Sequence, residues 1–158
     1  MGQPVLVCLS GGVDSAVAAY VLQRAGYEVA AVTFLFSTSP QVSAAAGETH
    51  VSQFRSAVRA AAELGIPHEV LDAREAFHER VVQDFLEQYR RGTTPNPCGR
   101  CNRLLRFELA FAAARVRGID LVSTGHHARV AHRDDGSFEL LRGVDRRKDQ
   151  SYFLYGLG

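Results

Sequence analysis

Ser10-Gly11-Gly12-Val13-Asp14-Ser15 sits between an apolar strand-like run, Val5-Leu6-Val7-Cys8-Leu9, and an apolar helical run from Ala16 to Leu22. A strand, a glycine turn and a helix start in that order build a cradle for phosphate. The glycines let the backbone turn tightly and approach a ligand closely. The free N–H groups and the dipole of the helix N-terminus then favour an anion. Ser10 and Ser15 offer hydroxyl donors, and Asp14 could orient a metal ion or cap the helix. No lysine follows the glycines, so this is not a Walker loop, and the three spaced glycines of a Rossmann fingerprint are absent. The competing reading is an ordinary strand-to-helix turn with a serine cap.

Outward from this turn, strand and helix patterns alternate. Val5–Leu9 predicts a buried strand, and Ala16–Ala25 a helix ended by Gly26. Tyr27–Phe36 predicts a second strand, and the aperiodic Ser37–Thr49 a mobile loop. A helix over Gln53–Leu64 stops at Gly65, and His68–Leu71 forms a short third strand. Phe77, Val81, Phe85 and Tyr89 recur every four residues and predict one apolar helix face. Thr93–Asn102 holds two prolines and a glycine, which predicts a shaped loop with no helix. A helix over Leu104–Val116, closed by Gly118, leads to a strand at Ile119–Ser123 and then Thr124-Gly125-His126-His127. Arg129–His132 and Phe138–Leu141 flank Asp134-Asp135-Gly136 as a small β-hairpin near the C-terminus. The class is α/β, a parallel sheet with helices on both faces. Ligands of such sheets bind at the carboxyl ends of the strands, so the glycine turn and Gly125-His126 are expected to share one site.

The 158 residues, 46% of them hydrophobic, allow one well-formed core. No apolar run has transmembrane length and no export signal opens the chain, so a cytoplasmic protein without a membrane partner is expected. Three cysteines, Cys8, Cys98 and Cys101, argue against a disulfide scaffold and for thiol or metal chemistry. Residues 1–89 carry five arginines against ten acids, whereas residues 90–158 carry thirteen basic side chains against seven acids. Between Gln88 and Phe107 lie Arg90, Arg91, Arg100, Arg103 and Arg106 with no acid. Such a cluster suits a nucleic-acid partner or a solvated basic face.

The glycine turn resembles the SGGxDS signature of the PP-loop ATP-pyrophosphatases. Thr94-Pro95-Asn96-Pro97-Cys98-Gly99-Arg100-Cys101-Asn102 resembles the TPNP-x-x-x-C-N motif of tRNA-specific 2-thiouridylases. Ser123 to Arg129 is similar to their ATGH-x-AR segment, and Leu140 to Leu154 to their LLRG-x-D and KDQSYFL block. The resemblance implies an adenine nucleotide α-hydrolase-like PP-loop domain over residues 1–130. Residues 131–158 would be a hairpin and the start of a truncated tRNA-binding region. It implies ATP on Cys8, Leu9, Ser10, Gly11, Gly12, Val13, Asp14, Ser15, Phe34 and Gly125, with Mg²⁺. Asn96, Pro97 and Cys98 match the segment that meets the target base, and His126, Lys148, Asp149 and Gln150 match tRNA contacts. Cys101 matches the nucleophile. The implied activity is 2-thiolation of the wobble uridine in tRNAs for Lys, Glu and Gln, through an adenylated uridine and a cysteine persulfide, with tRNA and a sulfur-donor protein as partners.

That chemistry suits the residue types. Adenylation turns the uridine C2 oxygen into a good leaving group, and a sulfur nucleophile then attacks C2. Arg100 and Arg103 are expected to lower the Cys101 pKa. Some relatives carry aspartate where this chain has Cys98, so Cys98-x-x-Cys101 is a catalytic pair able to form a disulfide or hold a metal; no metal site is assigned. Family members also continue well beyond this length, so the chain reads as the N-terminal part of a thiouridylase. The alternatives are a non-catalytic ATP- and tRNA-binding module, and a PP-loop enzyme that adenylates another substrate.

Overall fold

The computed structural model describes residues 2–36 and 50–157, so the loop expected over Ser37–Thr49 lies outside the described residues. Its strands are β1 (Pro4–Cys8), β2 (Glu28–Leu35), β3 (His68–Asp72), β4 (Leu121–Thr124), β5 (Ala128–His132) and β6 (Phe138–Arg142). The helices are α1 (Val13–Arg24), α2 (His50–Leu64), α3 (Arg74–Phe77), α4 (Gln83–Arg90), α5 (Pro97–Cys101) and α6 (Phe107–Val116). Contacts divide the chain into two compact units, Met1–His78 with Leu109–Gly125, and Glu79–Glu108 with His126–Gly158.

The first unit holds the expected parallel sheet, in the order β3-β2-β1-β4. β1 is interior because its residues are apolar on both faces; it pairs Pro4 with Glu28 through Cys8 with Val32, and Val5 with Leu121 through Cys8 with Thr124. The two-residue period sends Val5, Val7 and Leu9 to one face, against Ala19 of α1 and Ala57 and Ala61 of α2. Leu6 and Val32 point the other way, onto Ala113 and Ala114 of α6. Small alanines let these helices approach the sheet closely. Leu6 is fully buried, a contribution of about 1.5–3 kcal/mol from its side chain.

The second unit is built from short pieces. β5 and β6 form the expected antiparallel hairpin, Ala128 opposite Arg142 and His132 opposite Phe138. Asp135 closes its turn by accepting from the N–H and the hydroxyl of Ser137. A 3₁₀ turn at Ser151–Leu154 follows.

Two expectations are corrected. Thr93–Asn102 is not wholly loop, because α5 begins at Pro97. Proline is tolerated at the first helical position, where its missing N–H has no partner to lose, and the Asn96 side chain caps the turn by accepting from Gly99 N at 3.1 Å. The aromatic stripe is not one helix face. A π-helical turn at His78–Val82 adds a residue and rotates the helix beyond it. Phe77 packs on Phe36 at 5.4 Å within the first unit, whereas Phe85 and Tyr89 pair at 4.9 Å within the second.

Candidate functional site

The glycine turn leaves β1 from a pinned point. Leu9 N donates to Val32 O at 2.9 Å, and the buried Thr33 hydroxyl donates to Leu9 O at 2.8 Å. The one proton of Thr33 is spent there, so His68 Nε2, 2.8 Å away, must donate to Thr33, which fixes the imidazole tautomer. Burial pushes the His68 pKa down, which keeps the ring neutral. Thr33 thus ties β2, β3 and the start of the loop together, a role that nothing in the sequence pattern signals.

Gly11 turns the chain at φ +83°, and Gly12 is the N-cap of α1 with no side-chain cap. Asp14 is therefore not the cap; it stands in the first turn, where its charge complements the helix dipole. The serines also differ from expectation. Ser15, only 3% exposed, donates to Gly12 O at 3.0 Å and accepts from Ser10 N at 3.1 Å. Ser10 Oγ lies 3.1 Å from Ser15 Oγ and accepts from Gly12 N at 3.3 Å. Both hydroxyl protons are thereby used inside the turn. The serines shape the loop, and no side chain caps the first turn of α1, the end of a helix whose N–H groups and dipole favour an anion.

Gly125 follows β4 and lies against that same first turn. A Cβ there would stand 2.5 Å from Ser15 N and 2.7 Å from Asp14 C, so only glycine fits. The structure thus brings Gly125 to the loop. Phe34 sits near the end of β2 in an apolar cleft of about 400 Å³ with Leu71, Asp72, Leu109, Ala113 and Val116. Half-buried Cys8 packs on the core cluster that Phe34 also joins. Val13 is exposed on α1 and Leu9 is buried.

In the second unit, α5 carries Cys98 exposed and Cys101 buried, and none of Cys8, Cys98 and Cys101 is in a disulfide. The Cys101 thiol is pushed above its usual range. Burial is the main cause, and the nearby Cys98 adds to it, while Arg106 pulls the other way by charge and hydrogen bond. The expectation that Arg100 and Arg103 lower it is corrected. Arg100 pairs with Asp84 at 3.0 Å, and the Arg103 stem lies along Gly156. Arg106 is five residues beyond Cys101, the separation that the π-helical turn at Asn102–Arg106 closes. A pattern read at ordinary helical spacing misses it.

The remaining expected tRNA contacts all lie in this unit. His126 faces Phe107 at 6.1 Å, and burial, assisted by Arg106, pushes its pKa down. Asn96 donates from Nδ2 to the Tyr152 hydroxyl at 2.8 Å. Asp149 accepts from Gly143 N, Ser151 N and Ser151 Oγ, which hold its carboxyl below the usual range. Gln150 Oε1 accepts from His127 N at 2.9 Å, and Pro97 starts α5. Lys148 stands exposed at the surface.

An open parallel sheet with an uncapped glycine turn after its interior strand defines an α/β nucleotide-binding domain of the HUP, PP-loop type. A family described as tRNA methyl transferase HUP domain matches residues 3–158, and the chain belongs to it. It is 46% identical to a tRNA-specific 2-thiouridylase MnmA of Carboxydothermus hydrogenoformans, over 97% of this chain and 43% of that protein. It is 44% identical to the protein of the same description from Geobacter metallireducens, again over 97% of this chain and 43% of the relative. The chain thus spans less than half the length of these curated relatives. Among solved structures, a predicted subunit of tRNA methyltransferase from Methanocaldococcus jannaschii has a TM-score of 0.53 at 22% identity, covering 84% of this chain and 55% of that one. A glutamine-dependent NAD+ synthetase from Acinetobacter baumannii, in complex with ADP, gives 0.52 at 19% identity, over 77% and 21%. These two likenesses support the fold.

Proposed function

We propose that the chain is the nucleotide-binding part of an enzyme that converts the wobble uridine of tRNAs for Lys, Glu and Gln to 2-thiouridine, in the cytoplasm. Residues 1–130 would bind the nucleotide, and residues 131–158 would begin the part that grips tRNA. The observation that supports this reading is the glycine turn of Gly11–Ser15 at the start of α1, whose N-cap Gly12 brings no side-chain cap to the helix N-terminus while the serine hydroxyls are satisfied internally. ATP as substrate fits there, with its phosphates on the first turn of α1 and Phe34 toward the adenine. Asp14, the one carboxylate of the turn, would hold Mg²⁺, which would neutralise charge on the departing pyrophosphate.

The uridine C2 oxygen would attack the α-phosphate, releasing pyrophosphate, and sulfur from a donor protein would then displace AMP from C2. Asn96, Pro97 and Cys98 would face the base, and His126 and Lys148–Gln150 the tRNA. The donated sulfur would arrive as a persulfide on Cys101, whose outer sulfur would attack C2 and expel AMP. The Cys98 thiolate, as resolving thiol, would then attack Cys101 Sγ, freeing the 2-thiouridine and leaving a transient Cys98–Cys101 disulfide that an external thiol reduces. Neutral His126 could hydrogen-bond RNA without adding charge. Arg106 would favour the Cys101 thiolate once the buried pocket polarises.

The test is pyrophosphate release from ATP with transcripts of these tRNAs. Release that requires the wobble uridine is expected. Release that ignores the RNA would point to another adenylated substrate, and binding of ATP and tRNA with no AMP transfer would mark a non-catalytic module. A Cys98→Ser variant that loses no thiolation would remove the resolving role.

A further inference from the structure

Within the second unit, Tyr152 and Tyr155 stand 63% and 57% exposed. Tyrosines this open at an ordered turn leave apolar ring surface in water unless something stacks on it. Their ring centroids are 6.1 Å apart and tilted by 36°, and Phe153 packs edge-on against Tyr152 at 5.6 Å. The turn that carries them is fixed to the segment around α5 at two points. Asn96 Nδ2 donates to the Tyr152 hydroxyl at 2.8 Å, and Asn102 Nδ2 donates to Phe153 O at 3.5 Å. The rings are therefore held by the same residues that flank Cys98 and Cys101.

Charge complements the aromatic surface. The stem of Arg103 lies over Gly156, where an added Cβ would come within 2.6 Å of it, so the residue after Tyr155 must be small for that stem to lie there. Arg146, Arg147 and Lys148 are exposed just before the turn, and the unit as a whole carries twelve basic side chains against nine acidic ones. Open aromatic faces bordered by cations are the arrangement that binds unpaired bases of single-stranded nucleic acid. We infer that Tyr152 and Tyr155 form a stacking platform for an unpaired RNA base next to the one Asn96 faces. This rests on the proposed action on tRNA, and it gives the Asn96 amide a second role in setting the Tyr152 ring.

The test is the affinity of the chain for a synthetic anticodon stem-loop RNA with uridine at the wobble position, followed by fluorescence anisotropy. Tyr155→Ala should weaken binding about tenfold, and Tyr155→Phe, which keeps the ring, should stay within about twofold. ATP affinity and the melting temperature of Tyr155→Ala should not move, which excludes misfolding. RNA carrying 5-iodouridine in the loop should cross-link on irradiation to Tyr152 or Tyr155. Unchanged affinity in both Tyr152→Ala and Tyr155→Ala would overturn the platform while leaving the thiolation reading intact. Equal affinity of the unsubstituted chain for stem-loops with uridine and with cytidine at the wobble position, with the loss in those variants retained, would keep the platform and sink uridine as the target. A chain that binds ATP but no stem-loop at all would overturn both.

Discussion

Gly125 shows how one missing side chain can decide a site. Its backbone lies so close to Asp14 and Ser15 that any Cβ must displace the first turn of α1. Gly125→Ala should cost about 1–3 kcal/mol in urea unfolding and weaken ATP binding in calorimetry, because the groups pushed aside are the amides proposed to bind the phosphates. An unchanged ATP affinity would show that the close approach is packing alone. The two cysteines of α5 differ as sharply, one exposed and the other buried with its thiol pushed up. Iodoacetamide at neutral pH should modify Cys98 at least about tenfold faster than Cys101, measured by peptide mass spectrometry. Equal rates would mean that Cys101 is reached and ionised more readily than its surroundings allow.

Strand β2 does more than fill the sheet. Through Thr33 it fastens the end of β1 and holds His68 of β3. Thr33→Val keeps the shape but leaves the Leu9 carbonyl and the His68 N–H without that partner, so it should lower stability by about 1–3 kcal/mol with an unchanged urea m-value. No loss would mean that other groups satisfy both. Helix α5 and the π-helical turn after it work together in the second unit. The proline sets the start, Asn96 caps it, and the wide turn carries Arg106 back toward Cys101. An ordinary helical turn over the same residues would bring Arg106 round at a different angle.

The chain crosses between its two units three times, at residues 78, 108 and 125, so neither unit is a continuous segment. Among the described residues, His68 in the first unit and His126 in the second have a depressed pKa, and in both burial is the main cause. As pH falls below about 6.5, the unfolded chain binds protons that the folded one resists. The stability these histidines contribute is present above that pH and lost as acid approaches their folded values. Urea midpoints should therefore fall from pH 7.5 to 5.5, and His126→Asn should flatten part of the decline. A midpoint constant over that range would show that neither ring is shielded from protonation.

Local sequence was enough for the parallel sheet, the glycine turn and the hairpin. Apolar period, glycine stops and turn residues act over a few neighbours, and their physics is written in the chain order. The basic second half and the two thiols of one short segment were legible for the same reason. Tertiary structure alone decided that the Ser10 and Ser15 protons are spent inside the turn, that Gly125 meets Asp14, and that Asn96 reaches Tyr152 across fifty-six positions. It also decided that burial outweighs the arginine charge at Cys101. Burial and hydrogen-bond partnership depend on which distant residues are brought together, and no local pattern encodes that.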